Sequence, residues 1–264
     1  MTDLAPLVLR EDLDAIATLT LNAPRKLNAL STAMVGALAE ELDSIAADTS
    51  VRVVVIAAAG KAFSAGHDLK ELIATPEPAP CEALFGAGAA LMLQIAALPQ
   101  PVISKVQGLA TAGGCQLVAQ CDLAVASVDA KFAASGINLG LFCAMPSVPI
   151  VRATGRKAAA EMLYTGRFMT ATEAARIGLI NAVVGADILD VEVDNLAREI
   201  ASKPPQAIAS GKAFLRAQVD LTLDDAYALA THAMTDNMQA DDARDGITAF
   251  VGKRPLPAWK ARTS

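Results

Sequence analysis

The chain has 264 residues, with 22 Lys and Arg against 28 Asp and Glu, so its formal net charge is -6. This acidic balance excludes the usual basic nucleic-acid-binding surface. Two histidines are too few for a histidine-rich metal site, and the four cysteines include no C-x-x-C pair that would indicate zinc or a disulfide framework.

The N-terminal residues do not have the pattern of a targeting segment. The sequence MTDLAPLVLREDLD lacks a basic region followed by an apolar one, and its early acidic residues are unusual for a transit peptide. Apolar stretches are broken by polar residues before they reach the roughly 18 residues of a membrane span. We therefore expect a soluble, cytoplasmic protein without a membrane or nucleic-acid partner.

The first third of the sequence predicts strand, helix and strand in order. Two short strands are expected over Leu7–Arg10 and Ala15–Thr20, followed by a loop over residues 22–26. Ser31 then caps a helix whose apolar residues recur every three or four positions. The β-branched run Arg52–Ala58 is typical of a parallel strand that is covered on both faces.

The pattern repeats further along the chain. A strand is predicted over Pro101–Gln107, a helix near Cys115–Gln120, and a strand over Asp122–Ala126. Such repeated units with short links predict an α/β core. Later residues favour helices, with a capping box at Thr170-x-x-Glu173, a brief strand at Leu179–Val184 and helices from Leu189 to about Gly252.

Two glycine-bearing turns follow the predicted strands. One is FSAGHDLK, residues 63–70, and the other is AGGCQ, residues 112–116. Each lies where a strand ends and a helix begins, so each can present unpaired backbone N–H groups. Two such turns facing one another would form an oxyanion hole.

Residues 74–81 carry three prolines, and we expect a loop there.

Three long segments resemble successive signatures of the crotonase superfamily, which includes the enoyl-CoA hydratases. They are GKAFSAGHDLKEL, PVISKVQGLATAGGCQLVAQCDLAVAS and GRKAAAEMLYTGRFMTATEAARIGLINAVV. The resemblance implies a crotonase (ClpP-like) fold of repeated ββα units over residues 1–195. It also implies a helical region over residues 196–264 that forms a homotrimer or a dimer of trimers.

The same resemblance implies a site for an acyl-CoA thioester. The oxyanion donors would be the backbone N–H groups of His67 and Gly113, and no cofactor or metal is implied beyond the coenzyme A of the substrate. The remaining substrate-binding positions would be Arg25, Lys26, Leu27 and Ala29 toward the adenine and phosphates, with Lys70 as a further charged contact, and Ala65, Asp68, Leu69, Gly114, Asn138 and Cys143 around the pocket.

The sequence departs from the hydratase pattern at two positions. Hydratases of this superfamily use two glutamates, and the matching residues here are Gln116 and Gly136. Neither residue exchanges a proton near neutral pH, and loss of a general base typically costs about two to four decades in rate. We therefore expect weak hydratase activity, and we expect glutamate at both positions to raise it.

Two functions remain open at this point. One is an enzyme that stabilises an oxyanion with an absent or unorthodox base, and the other is a non-catalytic protein that binds acyl-CoA. The Cys143 thiol is a nucleophile in one interpretation and an inert buried group in the more common one. His67 is expected to act through its backbone, with its side chain as the less favoured alternative.

Overall fold

The structure is a computed structural model that describes residues 5–74 and 77–262. The strands of this part of the chain are β1 (Val8–Leu13), β2 (Ile16–Leu21), β3 (Val53–Ala58), β4 (Ala62–Ser64), β5 (Val102–Val106), β6 (Leu109–Thr111), β7 (Leu123–Ser127), β8 (Lys131–Ala133), β9 (Met169–Thr170) and β10 (Ala182–Val184).

The α-helices of the same residues are α1 (Thr32–Ala47), α2 (Leu69–Ala74), α3 (Pro78–Ala97), α4 (Gly113–Gln120), α5 (Ala144–Thr154), α6 (Arg156–Thr165), α7 (Ala171–Arg176), α8 (Leu189–Ala201), α9 (Pro205–Gln218), α10 (Leu223–Gln239) and α11 (Asp241–Val251). Short 3-10 helices cover Pro24–Lys26 and Ser135–Leu139.

The strands form two sheets, ordered β1-β2-β3-β5-β7-β10 and β4-β6-β8-β9. Strands β3, β5 and β7 lie in the larger sheet, and each is followed at once by a strand of the smaller one. Pairing is antiparallel for β1 with β2 and for β8 with β9, and parallel for the other paired strands. The predicted α/β fold of repeated ββα units is confirmed.

Strand β3 is buried on both faces, as its β-branched sequence predicts. Val54 and Ile56 pack into the main core, whereas Val53 and Val55 belong to a second apolar cluster with Leu189 of α8. Because successive side chains of a strand point to opposite faces, one strand serves both clusters. The larger sheet therefore has α8 on one side and the main core on the other.

Helix α1 begins as the sequence predicts. The Ser31 Oγ accepts a hydrogen bond from the Met34 N–H at 3.2 Å, and Leu38, Leu42 and Ile45 are fully buried. The Thr170–Glu173 capping box at α7 is also present. In both cases a side-chain oxygen satisfies an N–H group that has no acceptor inside the helix.

The predicted loop over residues 74–81 is wrong for most of its length. Helix α3 begins at Pro78 and includes Pro80, while residues 75 and 76 lie outside the described part of the chain. Proline is tolerated in the first turn of a helix because the N–H groups there have no intrahelical acceptor. Pro78 and Pro80 therefore mark the start of a helix rather than an irregular loop.

Helix α3 is also the one helix of the described residues that is long and apolar enough to cross a membrane, by length and composition alone. This differs from the expectation that no segment would qualify. Leu91, Met92 and Ile95 pack one face of α3 into the main core. Because core helices of soluble proteins pass the same test, this observation by itself assigns no membrane contact.

The C-terminal residues are helical, from α8 through α11. Helix α8 covers the larger sheet, and the predicted boundary between residues 195 and 196 falls inside it. Helix α9 is attached to the core through Lys212, whose Nζ pairs with Asp122 at 2.6 Å and donates to the carbonyl oxygens of Ile95 and Gln100. The division into core and helical region stays a prediction.

Candidate active site

The two glycine-bearing turns meet in the structure. A Cβ atom added to Gly66 would lie 2.7 Å from the backbone nitrogen of Gly113 and 3.0 Å from the Cβ of Ala112. The turn that follows β4 therefore touches the turn that begins α4. This contact requires glycine at position 66, where φ is +85°.

The backbone N–H groups of His67 and Gly113 are both available at this contact. Gly113 is the first residue of α4, so its N–H has no acceptor within the helix. Among the described residues, neither of these two N–H groups donates a hydrogen bond, whereas the neighbouring Gly66 N–H donates to Ser64 Oγ at 3.2 Å. Two unpaired donors therefore lie on adjoining turns.

The backbone of Ala112, the residue immediately before Gly113, is strained. Its φ of +49° and ψ of -118° lie in a region that residues with a Cβ rarely adopt. Such strain costs about 1–3 kcal/mol and is concentrated at functional sites. Ala112 could not be singled out from the sequence, because an alanine before two glycines does not indicate its own dihedral angles.

The His67 side chain lies next to Gly113 and is largely buried. Its ring packs edge-on to Phe85, with 5.4 Å between the ring centroids. Burial lowers the pKa of His67 below its usual 6.5, and the negative charge of Glu71 opposes that shift. The imidazole is therefore neutral at pH 7.

The loop that carries Arg25 and Lys26 is bound to the His67 turn. The Ala65 N–H donates to the Leu27 carbonyl at 3.0 Å, and the Leu30 N–H donates to the Gly66 carbonyl at 2.8 Å. Arg25 and Lys26 are exposed, Leu27 and Ala29 are partly buried, and Lys70 and Leu69 are exposed on α2. No ion pair among the described residues engages Arg25, Lys26 or Lys70.

Asn28 fixes this loop and was missed by the sequence analysis. Its side chain is fully buried, accepts from the Ala23 N–H and donates to the carbonyl oxygens of Ala59 and Ala62 at 2.8–2.9 Å. Its φ of +50° is a conformation that asparagine tolerates better than most residues. The sequence feature that could have indicated this role is the presence of two asparagines, Asn22 and Asn28, in the segment NAPRKLNAL.

We expect Asn28→Ala to lower the free energy of unfolding by about 3 kcal/mol, because a buried side chain loses three hydrogen bonds of about 1 kcal/mol each. Chemical denaturation measures this loss. Asn22→Ala is the matched control, because the Asn22 side chain makes one exposed hydrogen bond, to the Pro6 carbonyl. Equal losses in the two variants would show that Asn28 does not hold the loop.

Comparison with known proteins identifies the family. A family model described as enoyl-CoA hydratase/isomerase matches residues 11–262. The chain belongs to this family. The mitochondrial enoyl-CoA hydratase domain-containing protein 3 of Rattus norvegicus is 44% identical over 246 residues, which cover 93% of this chain and 82% of that protein.

Solved structures of relatives share the fold. The crystal structure of an enoyl-CoA hydratase from Mycobacterium smegmatis has a TM-score of 0.94 and 50% identity, covering 96% of this chain and 99% of that one. Human enoyl-CoA hydratase domain-containing protein 3 has a TM-score of 0.92 and 42% identity, covering 95% and 99%. The crotonase superfamily predicted from the sequence is confirmed.

The predicted cytoplasmic location is wrong by this comparison. The relatives from Rattus norvegicus and Homo sapiens are both named as mitochondrial proteins. Cellular location is set by short targeting segments, which are read separately from the fold. The expectation rested on N-terminal residues without a targeting pattern, and the absence of such a pattern did not determine the location.

The two positions predicted to match the hydratase glutamates are connected to the turns. Gln116 is buried on α4, one turn after Gly113, and so lies on the same helix face. Gly136 is in the 3-10 helix after β8, which is held near α4 by the bond from the Ala112 N–H to the Ala133 carbonyl at 2.9 Å. Neither side chain supplies a titratable group.

The expectation that glutamate could be placed at both positions is wrong at Gly136. A Cβ there would lie 2.7 Å from the carbonyl oxygen of Leu141 and 2.8 Å from the Sγ of Cys143. A side chain at position 136 would therefore require the backbone at Leu141 to move, which is energetically costly. Gly136 therefore has no room for a side chain in this family member, whereas the Gln116 side chain already has its own space.

The remaining predicted residues are engaged in structural contacts. Asn138 donates from Nδ2 to the Gly166 carbonyl at 3.0 Å, and Asp68 accepts from the Lys70 N–H at 2.9 Å. Burial raises the pKa of the Cys143 thiol, and Cys115 on α4 is raised to about 12, also mainly by burial. Both thiols are therefore protonated and poor nucleophiles at neutral pH.

The described residues contain no group of three or more His, Cys, Asp or Glu side chains arranged to hold a metal ion. The groups around the two turns include backbone N–H groups, the His67 imidazole, the Gln116 amide, two protonated thiols and the carboxylates of Asp68 and Glu71.

Proposed function

We propose that this protein binds an acyl-CoA thioester and polarises its carbonyl with the backbone N–H groups of His67 and Gly113. The observation that supports this most strongly is the contact between the two turns, on which neither N–H group donates a hydrogen bond to the described residues. Donors fixed in advance around a developing oxyanion are a major source of catalysis in acyl transfer and enolate chemistry.

The charge distribution supports coenzyme A as the rest of the ligand. Arg25 and Lys26 are exposed, without ion pairs among the described residues, on a loop bound to the His67 turn. Lys70 is exposed on α2, three residues after His67. In a protein of net charge -6, such cations are suited to the phosphates of a coenzyme A moiety.

The first test is thermal stabilisation by acyl-CoA thioesters. A ligand that binds only the folded state at 100 times its Kd stabilises it by about 2.7 kcal/mol, which raises the melting temperature by several degrees in a protein of this size. We expect butyryl-CoA to produce this shift and Arg25→Ala with Lys26→Ala to reduce it. Lys157→Ala, at an exposed position on α6, is the control.

The absence of any shift with several saturating acyl-CoA thioesters would contradict the proposal. An equal loss of shift in Lys157→Ala and in the Arg25 and Lys26 double variant would show that the loop does not hold the coenzyme A.

A second candidate function is acyl-CoA binding without turnover. Gln116 and Gly136 favour it, since no carboxylate stands at either position. Both candidates include the same binding step and the same polarised carbonyl. They differ in whether a proton moves, so measurements of proton transfer separate them.

We also propose that the protein assembles as a homotrimer or a dimer of trimers through its C-terminal helices. Phe250 and Val251 of α11 and Leu223 and Met234 of α10 are each more than 70% exposed. A groove of about 340 Å³ between α9 and α10 is lined mainly by apolar side chains. Exposed apolar surface of this kind supports an interface between copies of the chain.

Light scattering on the purified protein is expected to give three or six times the 27.2 kDa of one chain. Met234→Asp, which places a charge in the groove, is expected to reduce the mass. A monomer at micromolar concentration in the unmodified protein would contradict this assembly.

A further inference from the structure

The imidazole of His67 lies in a slot between the turn that begins α4 and helix α3. A Cβ added to Gly113 would lie 3.2 Å from Nδ1, and one added to Gly88 would lie 3.2 Å from Nε2. Phe85 packs against the ring from the same helix as Gly88. Glycines at positions 88 and 113 therefore leave the space that the ring occupies.

The two ring nitrogens have different surroundings. Nε2 is fully buried and has no hydrogen-bond partner among the described residues. Nδ1 is not enclosed in this way and lies on the side of Gly113, whose N–H is one of the two proposed oxyanion donors. The ring nitrogen nearest the proposed donors is therefore Nδ1, and the fully buried one is Nε2.

Few other titratable groups face this ring. The carboxylate that acts on it electrostatically is that of Glu71 on α2, which also accepts hydrogen bonds from the N–H and Oγ1 of Thr32. The contacts from α3 are Phe85 and Gly88, neither of which is charged. His67 therefore remains as the neutral base beside the oxyanion donors.

Building on the proposed function, we propose that Nδ1 of His67 is the base that exchanges a proton with Cα of the bound acyl-CoA thioester. The Cα–H bond breaks and the proton moves to Nδ1. The electron pair forms the carbon–carbon double bond of an enolate, whose oxygen is held by the N–H groups of His67 and Gly113. Return of the proton from the imidazolium to Cα restores the thioester, so no oxidant or reductant is needed.

The experiment is α-deuterium exchange of butyryl-CoA in D2O, followed by proton NMR, with butyryl-CoA binding measured in parallel. Butyryl-CoA has no double bond to hydrate, so exchange reports proton transfer alone. The wild-type protein is expected to exchange the α protons. His67→Gln is expected to slow exchange at least about 100-fold, the lower end of general-base effects, because the backbone N–H that grips the oxygen remains.

His232→Gln is the matched control, since His232 is exposed on α10, and it should exchange at the wild-type rate. His67→Gln should bind butyryl-CoA within about threefold of the wild type, as binding depends on the backbone N–H groups and the cationic loop. Exchange that persists in His67→Gln with binding intact would overturn the base assignment. Absence of exchange in a wild-type protein that binds butyryl-CoA would overturn it as well.

The pH profile of the wild-type protein gives a readout that a structural role would not produce. A neutral imidazole with a pKa below 6.5 predicts an exchange rate that rises from acid, reaches half of its maximum below pH 6.5 and no longer changes in the alkaline range up to pH 9. A rate that continues to rise through pH 9 would overturn the proposal even if His67→Gln failed to fold. Failure of the wild type to bind any acyl-CoA would instead remove the proposed function, and this inference with it.

Discussion

The wild-type protein is expected to hydrate crotonyl-CoA at least about 100-fold more slowly than a typical enzyme rate of roughly 10 per second. Hydration needs a group that activates water and a group that delivers a proton. The proposed backbone donors of His67 and Gly113 would supply the electrostatic part, and the His67 imidazole proposed above would exchange a proton at Cα, but neither would activate water. Gln116 and Gly136 supply neither proton transfer nor an ionised oxygen.

Gln116→Glu alone is expected to raise this rate by about tenfold or more, because it places a carboxylate near the donors without changing the size of the side chain. Gln116→Met is the control, since it keeps the length and removes both the amide and any acid. Steady-state hydration of crotonyl-CoA, followed by loss of the conjugated thioester absorbance, measures all three proteins.

Two results would contradict this account of hydration. A wild-type rate of roughly 10 per second or more would show that hydration does not depend on a carboxylate at these positions. An equal rise with Gln116→Met would show that the gain comes from altered packing rather than from proton transfer.

Gly114→Ala is expected to lower the free energy of unfolding by at least about 3 kcal/mol, at the upper end of overpacking costs. A Cβ on Gly114 would lie 2.2 Å from the carbonyl oxygen of Ser64 and 2.8 Å from its Cβ. Ser64 is the last residue of β4, so the clash would separate α4 from the strand that leads into the His67 turn. Binding of butyryl-CoA should fall with stability, because the two donors move apart.

Gly36→Ala is the matched control for this substitution. Gly36 is exposed in the interior of α1, and an added Cβ would meet nothing within 4 Å. This change should stabilise the protein by about 0.5–1 kcal/mol, the usual difference between the two residues inside a helix. Thermal or chemical denaturation measures both variants. A Gly114→Ala protein as stable as the wild type would show that α4 and β4 do not pack this closely.

The main elements of the fold could be predicted because their patterns are long. The β-branched run of β3 and the spaced apolar residues of α1 each extend over several positions. Strands β4, β6 and β8 have three residues each, which is too short for a period to be visible. Helix α3 was missed at its start because prolines were interpreted as a loop, although the first turn of a helix accepts them.

The positions of the two glycine turns could be predicted, whereas their strain could not. Gly66 and Gly113 stand where strands end, and glycine there has an evident steric reason. Ala112 and Asn28 have positive φ values that only the folded chain imposes. The space around Gly136 depends on Leu141 and Cys143, which approach it from five and seven residues further along the chain, and no spacing rule indicates that contact.

The measurement that tests the proposed function most directly is infrared difference spectroscopy of butyryl-CoA labelled with carbon-13 at the thioester carbonyl. Two N–H donors at the oxygen should weaken the carbonyl bond, so the labelled stretching band is expected to move to lower frequency on binding. The same shift should appear in His67→Gln, whose backbone N–H is unchanged. A bound thioester whose carbonyl band stays at its solution frequency would contradict an oxyanion hole at His67 and Gly113.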